Sequence, residues 1–187
     1  MRTARLLLRP WREADLEPFA ALNADREVMR HFAAPIEREQ SDAFARRQAA
    51  AIEERGWALW AVEVVGGASF AGFVGLAEPR FDAHFTPAVE IGWRLARANW
   101  GNGYATEAAR ESLRYGFEVL DLDEIVSFTT SANDRSRRVM ERIGMAHDPD
   151  GDFEHPALPP GHPVRPHVLY RLGHATYHRP DSEEERP

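Results

Sequence analysis

Cysteine is missing from all 187 residues of the chain. That absence excludes a disulfide framework, Cys-ligated zinc and acyl transfer through an acetyl-cysteine. Long hydrophobic runs are missing too: no apolar stretch approaches the roughly 18 residues that a membrane span requires, and the amino terminus carries no basic-then-apolar signal segment. The expectation is a cytoplasmic protein without a membrane partner. Basic excess is also lacking. With 23 Lys and Arg against 30 Asp and Glu, the formal net charge is −7, which does not suit a nucleic-acid binder and better suits a cationic, amine-bearing partner. There is no internal repeat, and only the terminal PDSEEERP is biased enough in composition to read as disordered. The chain therefore reads as one domain over residues 1–178 with a charged tail over 179–187, long enough to bury a core without staples.

What is present alternates between strand and helix periods. RLLLR (5–9) predicts an opening strand stopped by Pro10. Asp15 is placed to cap a helix carrying Leu16, Phe19 and Leu22 towards Asn23, with Pro18 in its first turn. A short helical piece is expected over 27–32, and a longer helix from a Ser41 cap to Arg55, closed by Gly56. Residues 57–64 and 70–78 predict a hairpin about Gly66-Gly67, followed by a Pro-bounded loop over 79–87. AVEIGWRL (88–95) reads as a strand, and Ala105, Ala108, Ala109, Leu113, Phe117 and Leu120 recur at helical spacing after it. EIVSFT (124–129) predicts a buried strand, Asn133 caps a helix closed by Gly144, and 168–172 predicts a last strand. The segment 147–167 reads as a long loop bearing Pro and His. The fold class expected is α+β: a mixed sheet of about seven strands flanked by helices.

The strongest chemical signal is WGNGYATEA, residues 100–108, between the predicted strand and helix. Two glycines around one polar residue allow backbone conformations closed to other residues and a close ligand approach. The first helical turn that follows offers unpaired N–H groups and a positive dipole end to an anion. There is no G-x-x-x-x-G-K-[ST], and the G-x-G lacks the third glycine and the acidic partner of a dinucleotide fold.

This stretch resembles the acyl-CoA pyrophosphate loop of the GNAT acetyltransferases. RLLLRPWREAD and NDRSRRVMERIGM resemble the opening and the last helix of that family's ribosomal-protein N-acetyltransferase-like branch, so the likeness spans roughly residues 5 to 172. The resemblance implies a single GNAT-like domain and an acetyl-CoA co-substrate. It assigns to acetyl-CoA Ile91, Gly92, Trp93 and Leu95 on the strand, Trp100, Gly101, Asn102, Gly103, Tyr104, Ala105 and Thr106 on the turn, and Asn133 and Ser136 on the later helix. It also implies that amides over Gly92 to Leu95 face the thioester carbonyl.

Acetylating an amine needs a proton acceptor, an oxyanion stabiliser and a donor for the leaving thiolate. Glu90 stands where several family members carry a carboxylate base; a strand glutamate making a structural hydrogen bond is the other reading. Many family members place a tyrosine acid seven residues after the Asn, but this chain has Met140 there. Ser136 becomes the candidate donor, or else a local hydrogen-bonder in a first helical turn. The family pattern also wants Gln or Arg at the position of Ala98, and Arg97 comes one residue early, so the loop relies on its amides. Glu154 and His155, at the entrance of the 147–167 loop, are candidate acceptor-binding residues, with a secondary base role open to Glu154. The spacing of His155, His162 and His167 matches no zinc motif, and DPDGDF lacks the spacing of an EF-hand loop, so no metal is expected.

The resemblance thus implies an acetyl-CoA-dependent N-acetyltransferase acting by direct transfer in a ternary complex, and the expected acceptor is a protein amino terminus or a small-molecule amine. The competing class is a non-catalytic acyl-CoA-binding module of the same fold. Oligomeric state is not encoded in any feature of the chain.

Overall fold

A computed structural model describes residues 1–178; the tail expected over 179–187 lies outside them. The described residues form β1 (Leu6–Arg9), α1 (Leu16–Ala24), α2 (Arg38–Arg55), β2 (Leu59–Val64), β3 (Gly72–Ala77), β4 (Glu90–Leu95), α3 (Tyr104–Glu118), β5 (Glu124–Thr130), α4 (Asp134–Arg142), β6 (Ala146–Glu154) and β7 (Pro166–Gly173). The strands make one sheet in the order β1-β2-β3-β4-β5-β7-β6. Every pairing is antiparallel except that of β4 with β5.

Period-two alternation divides the apolar residues between the two faces of the sheet. Along β2, Trp60 and Val62 pack with the residues under α3 and α4, whereas Leu59 and Ala61 join the cluster under α1 and α2. The first layer is closed by Ala108, Ala109, Leu113 and Phe117 of α3 and by Met140 of α4; the second by Trp11, Phe19, Leu22 and Ala45. Gly116 lets α3 approach the sheet closely: a Cβ there would stand 2.6 Å from Ile125 Cδ1, so the Ile125 side chain would have to shift. Arg9 is almost fully buried and meets Asp15 through two hydrogen bonds of 2.7 and 2.8 Å, a bidentate pair that keeps both charges satisfied.

Four local expectations are corrected. Residues 27–32 form successive turns, not a helix, with Met29 N–H donating to Asp25 O and Phe32 N–H to Met29 O. The helix assigned a Ser41 cap begins four residues earlier, after Glu37, and Ser41 is buried, accepting from Asn23 Nδ2 at 2.8 Å. Asp15 accepts the Arg12 amide across a short 3-10 turn before α1 rather than capping α1 itself. The polar stretch 146–154, read as part of a loop, is strand β6, with a register break between Asp148 and Phe153. Across that break, side chains replace the ladder: Asp152 Oδ1 accepts the Leu169 amide at 3.0 Å and Asp148 binds Arg171 at 2.6 Å.

Candidate active site

The parallel pair β4/β5 has a single register match, Glu90 opposite Val126. Val126 N–H still reaches Val89 O at 2.9 Å, but Ser127 uses its hydroxyl to reach Ile91 O, also at 2.9 Å. Beyond this point the strands part. Ala96 N–H donates to Ala71 O, so even-numbered amides of β4 address β3 and odd-numbered ones address the β5 side. The amides of Trp93 and Leu95 therefore face the gap, and the Leu95 carbonyl is taken by the Trp100 indole at 2.8 Å. A cleft of ≈ 810 Å³ opens there.

The glycine turn borders one half of this cleft. Gly101 and Gly103 have φ of +78° and +77°, the left-handed region that favours glycine. Among the described residues no amide from Gly101 through Thr106 finds a backbone or side-chain acceptor, as a helix amino terminus requires. The turn is held from the segment just before β1. Arg5 donates to Asn102 O at 3.0 Å and, through Nε, to Glu107 at 2.7 Å; Thr3 Oγ1 donates to Glu107 at 2.6 Å. Burial works to raise the Glu107 carboxyl, yet these bonds hold it below the usual range. A preorganised row of amides suits a pyrophosphate, and the residues present fit acyl-CoA on that ground.

Asn133 performs the capping expected of it, accepting the Ser136 amide at 3.3 Å. Its Nδ2 also donates to Thr129 Oγ1 at 2.9 Å and to Ser136 Oγ at 3.1 Å. Ser136 lines the cleft, and among the described residues its own hydroxyl hydrogen has no acceptor. Met140 is 1% exposed and offers no proton at the family's tyrosine position. Of the turn and strand residues assigned to acetyl-CoA, Ile91, Gly92, Trp93, Leu95, Trp100, Gly101, Gly103, Tyr104, Ala105 and Thr106 line the cleft; Asn102 does not, its carbonyl being bound to Arg5 and its side chain to Trp100 O.

Glu90, Gly92 and Arg94 alternate along the opposite face of β4 and line the other half of the cleft. Burial pushes the Glu90 carboxyl up to about 7, with no neighbouring charge opposing it. Arg94 stacks on Phe32 at 4.1 Å and donates through Nη1 to Asn23 Oδ1; burial pulls it down to about 10. At the far end, His155 and His167 line the cleft with ring centroids 5.0 Å apart, beside Phe128. Burial pushes both imidazoles down, which favours the neutral form of each. Glu154 is not brought into the cleft lining: it pairs with Arg165 at 2.8 Å and remains more than half exposed. His155 enters the site and Glu154 stays at its margin.

Sequence reasoning missed Arg94, His167 and the Arg5–Thr3–Glu107 brace. Arg94 was accessible through the period of two, since EIGWR places residues 90, 92 and 94 on one face. No local signal announces the brace, whose partners are 102 residues apart.

Comparison with known proteins agrees with this geometry. The acetyltransferase (GNAT) domain model matches residues 5–146. The chain is 32% identical over 178 residues to FsC-acetyl coenzyme A-N(2)-transacetylase of Aspergillus fumigatus, covering 86% of this chain and 71% of that protein. It is 31% identical over 144 residues to YkkB of Bacillus subtilis, covering 76% and 83%. A GNAT-family acetyltransferase from Bacillus anthracis superposes with a TM-score of 0.77 at 27% identity, over 94% of this chain and 98% of that one. The parted parallel strands, the braced glycine turn and these matches lead to one assignment: the chain is an acyltransferase that belongs to the GNAT acetyltransferase family.

Proposed function

We propose that the chain is an acetyl-CoA-dependent N-acetyltransferase that passes the acetyl group directly to a primary amine in a ternary complex. The observation that carries this reading is the position of Glu90, a carboxyl that burial pushes up to about 7, on the strand whose free amides face the cleft. Acetyl-CoA, when bound, supplies an acetyl group activated as a thioester. Glu90 takes the ammonium proton, directly or through one water, and frees the nitrogen lone pair to form the C–N bond. The Trp93 and Leu95 amides stabilise the charge developing on the carbonyl oxygen. As the C–S bond breaks, the Ser136 hydroxyl passes its proton to the departing sulfur and is reprotonated by the second proton that the attacking nitrogen sheds, so CoA leaves as the thiol and Glu90 returns the first proton to solvent. The name of the Aspergillus relative, an acetyl coenzyme A-N(2)-transacetylase, supports transfer to nitrogen. The RLLLRPWREAD and NDRSRRVMERIGM motifs support the ribosomal-protein branch.

The test follows from the size of the proton problem. A lysine-like amine with pKa about 10.4 costs roughly 4.6 kcal/mol to neutralise at pH 7, against about 1 kcal/mol for an α-amine near 7.8. Glu90→Gln should lower kcat/KM strongly with the first and weakly with the second, and the first deficit should shrink between pH 7 and 10. A pH-independent ratio, or loss of acetyl-CoA binding, would mean that Glu90 holds the strand and not the proton. Met140 in the tyrosine position favours a second reading, an acyl-CoA-binding module without turnover. Thiol release measured with an amine panel separates the two.

A further inference from the structure

Resting on the N-acetyltransferase reading, we infer that the acceptor amine carries a carboxylate several bonds away from its nitrogen, and that Arg94 binds this carboxylate. Arg94 lines the same half of the cleft as Glu90. Among the described residues it has no ion-pair partner; its recorded contacts are the neutral Asn23 oxygen and the faces of Phe32 and Phe73, at 4.1 and 5.4 Å. A desolvated cation surrounded only by neutral groups is costly, and a matching anion offsets much of that cost. The guanidinium bonds show where such an anion would sit. Nη1 is occupied by Asn23, while Nε is sheltered from solvent and has no acceptor. Nε with Nη2 is the edge that grips a carboxylate through two parallel hydrogen bonds.

Spacing sets the length of the acceptor. Glu90 and Arg94 are four residues apart on one strand face, or roughly 13 Å between their Cα atoms. Gly92 lies between them with no side chain, and a Cβ built there meets nothing nearer than Leu59 Cδ2 at 4.0 Å. The floor between base and guanidinium is therefore open. An α-amino acid, with its amine and carboxylate on one carbon, is too short to touch both; an ω-amino acid or a short peptide spans them. This geometry assigns the selection for a carboxylate to a strand residue, Arg94, and leaves other features of the acceptor to the 155–165 loop.

The test uses matched pairs that differ only in charge: 6-aminohexanoate against 6-aminohexanamide, diglycine against its amide, and glycine against glycinamide as the short control. Binding is titrated on the full chain saturated with CoA, where no turnover occurs, and kcat/KM is then measured with acetyl-CoA. The expected result is a preference of at least about tenfold for the longer carboxylates, little preference within the glycine pair, and collapse of the ratio in Arg94→Gln with partial retention in Arg94→Lys. A merely structural Arg94 would weaken both members of a pair equally and leave the ratio standing. A wild-type binding ratio near one, or a ratio that Arg94→Gln leaves intact, overturns the inference. Absence of thiol release with every amine would instead overturn the N-acetyltransferase reading, and the CoA-saturated titration would still decide the role of Arg94.

Discussion

Taking the Glu90 carboxyl out of water makes the folded chain hold that proton more tightly than the unfolded chain does, with a value near 7 against an ordinary 4.5. Between those two pH values the folded state binds more protons, so stability falls as pH rises. The contribution is fully present below 4.5 and lost once the pH passes 7. Glu90→Gln should therefore stabilise the protein at pH 8, by on the order of 3 kcal/mol, and change little at pH 4; urea unfolding of both proteins at the two pH values measures it. The same titration should give wild-type kcat/KM with an α-amine acceptor an ascending limb centred near pH 7 that is missing from the variant. Ser136 presents a smaller case. CoA thiol is a fair leaving group, so Ser136→Ala should lower kcat within the roughly 10²- to 10⁴-fold range of proton-transfer assistance, or by less. Unaltered kcat would remove Ser136 from the mechanism.

Among the elements, the glycine turn and α3 were legible because their signals are local: positive-φ glycines, a strand before them and a helical apolar stripe after them. The fold class followed from the same alternation of periods, and Glu90 with Ser136 does reach the cleft. β6 was not legible, since its Asp148, Asp150 and Asp152 look like turn residues until Arg171 and the Leu169 amide are placed opposite them. The 27–32 segment misled for a related reason. Its apolar Val28 and Met29 are buried against α1 and α2 by turns, and helical spacing was coincidental. At this scale the brace yields a prediction free of the cleft's own chemistry. Arg5→Met removes the bonds to Asn102 and Glu107 and should weaken acetyl-CoA binding several-fold, on the order of 1 kcal/mol. Gly103→Val should do more, over about tenfold, because the position needs φ of +77° although a Cβ itself would fit, 3.5 Å from Arg5 Nη2. Calorimetric titration with acetyl-CoA distinguishes these outcomes, and an unchanged affinity for both would detach the turn from the cofactor.

For the whole molecule, the loop over 155–165 matters through what it carries into the cleft, His155 beside His167 and Phe128. Replacing Pro156 to Gly161 with a short Gly-Ser turn should reorder a panel of amines by kcat/KM while leaving acetyl-CoA affinity close to wild type. If both survive intact, the loop is a cover. No helix among the described residues is long and apolar enough to cross a membrane.

The single register match between β4 and β5 also makes the sheet mechanically uneven. Two stiff plates, β1 to β4 and β5 to β7, share a seam that the backbone ladder barely stitches, with α3 and α4 packed across it. Whatever fills the cleft touches both margins, so it acts as a rivet as well as a reactant. Saturation at a hundred times Kd should then add about 2.7 kcal/mol to unfolding stability. It should also slow amide hydrogen exchange at Val126 and Ser127, on the margin away from the glycine turn, as much as at the turn.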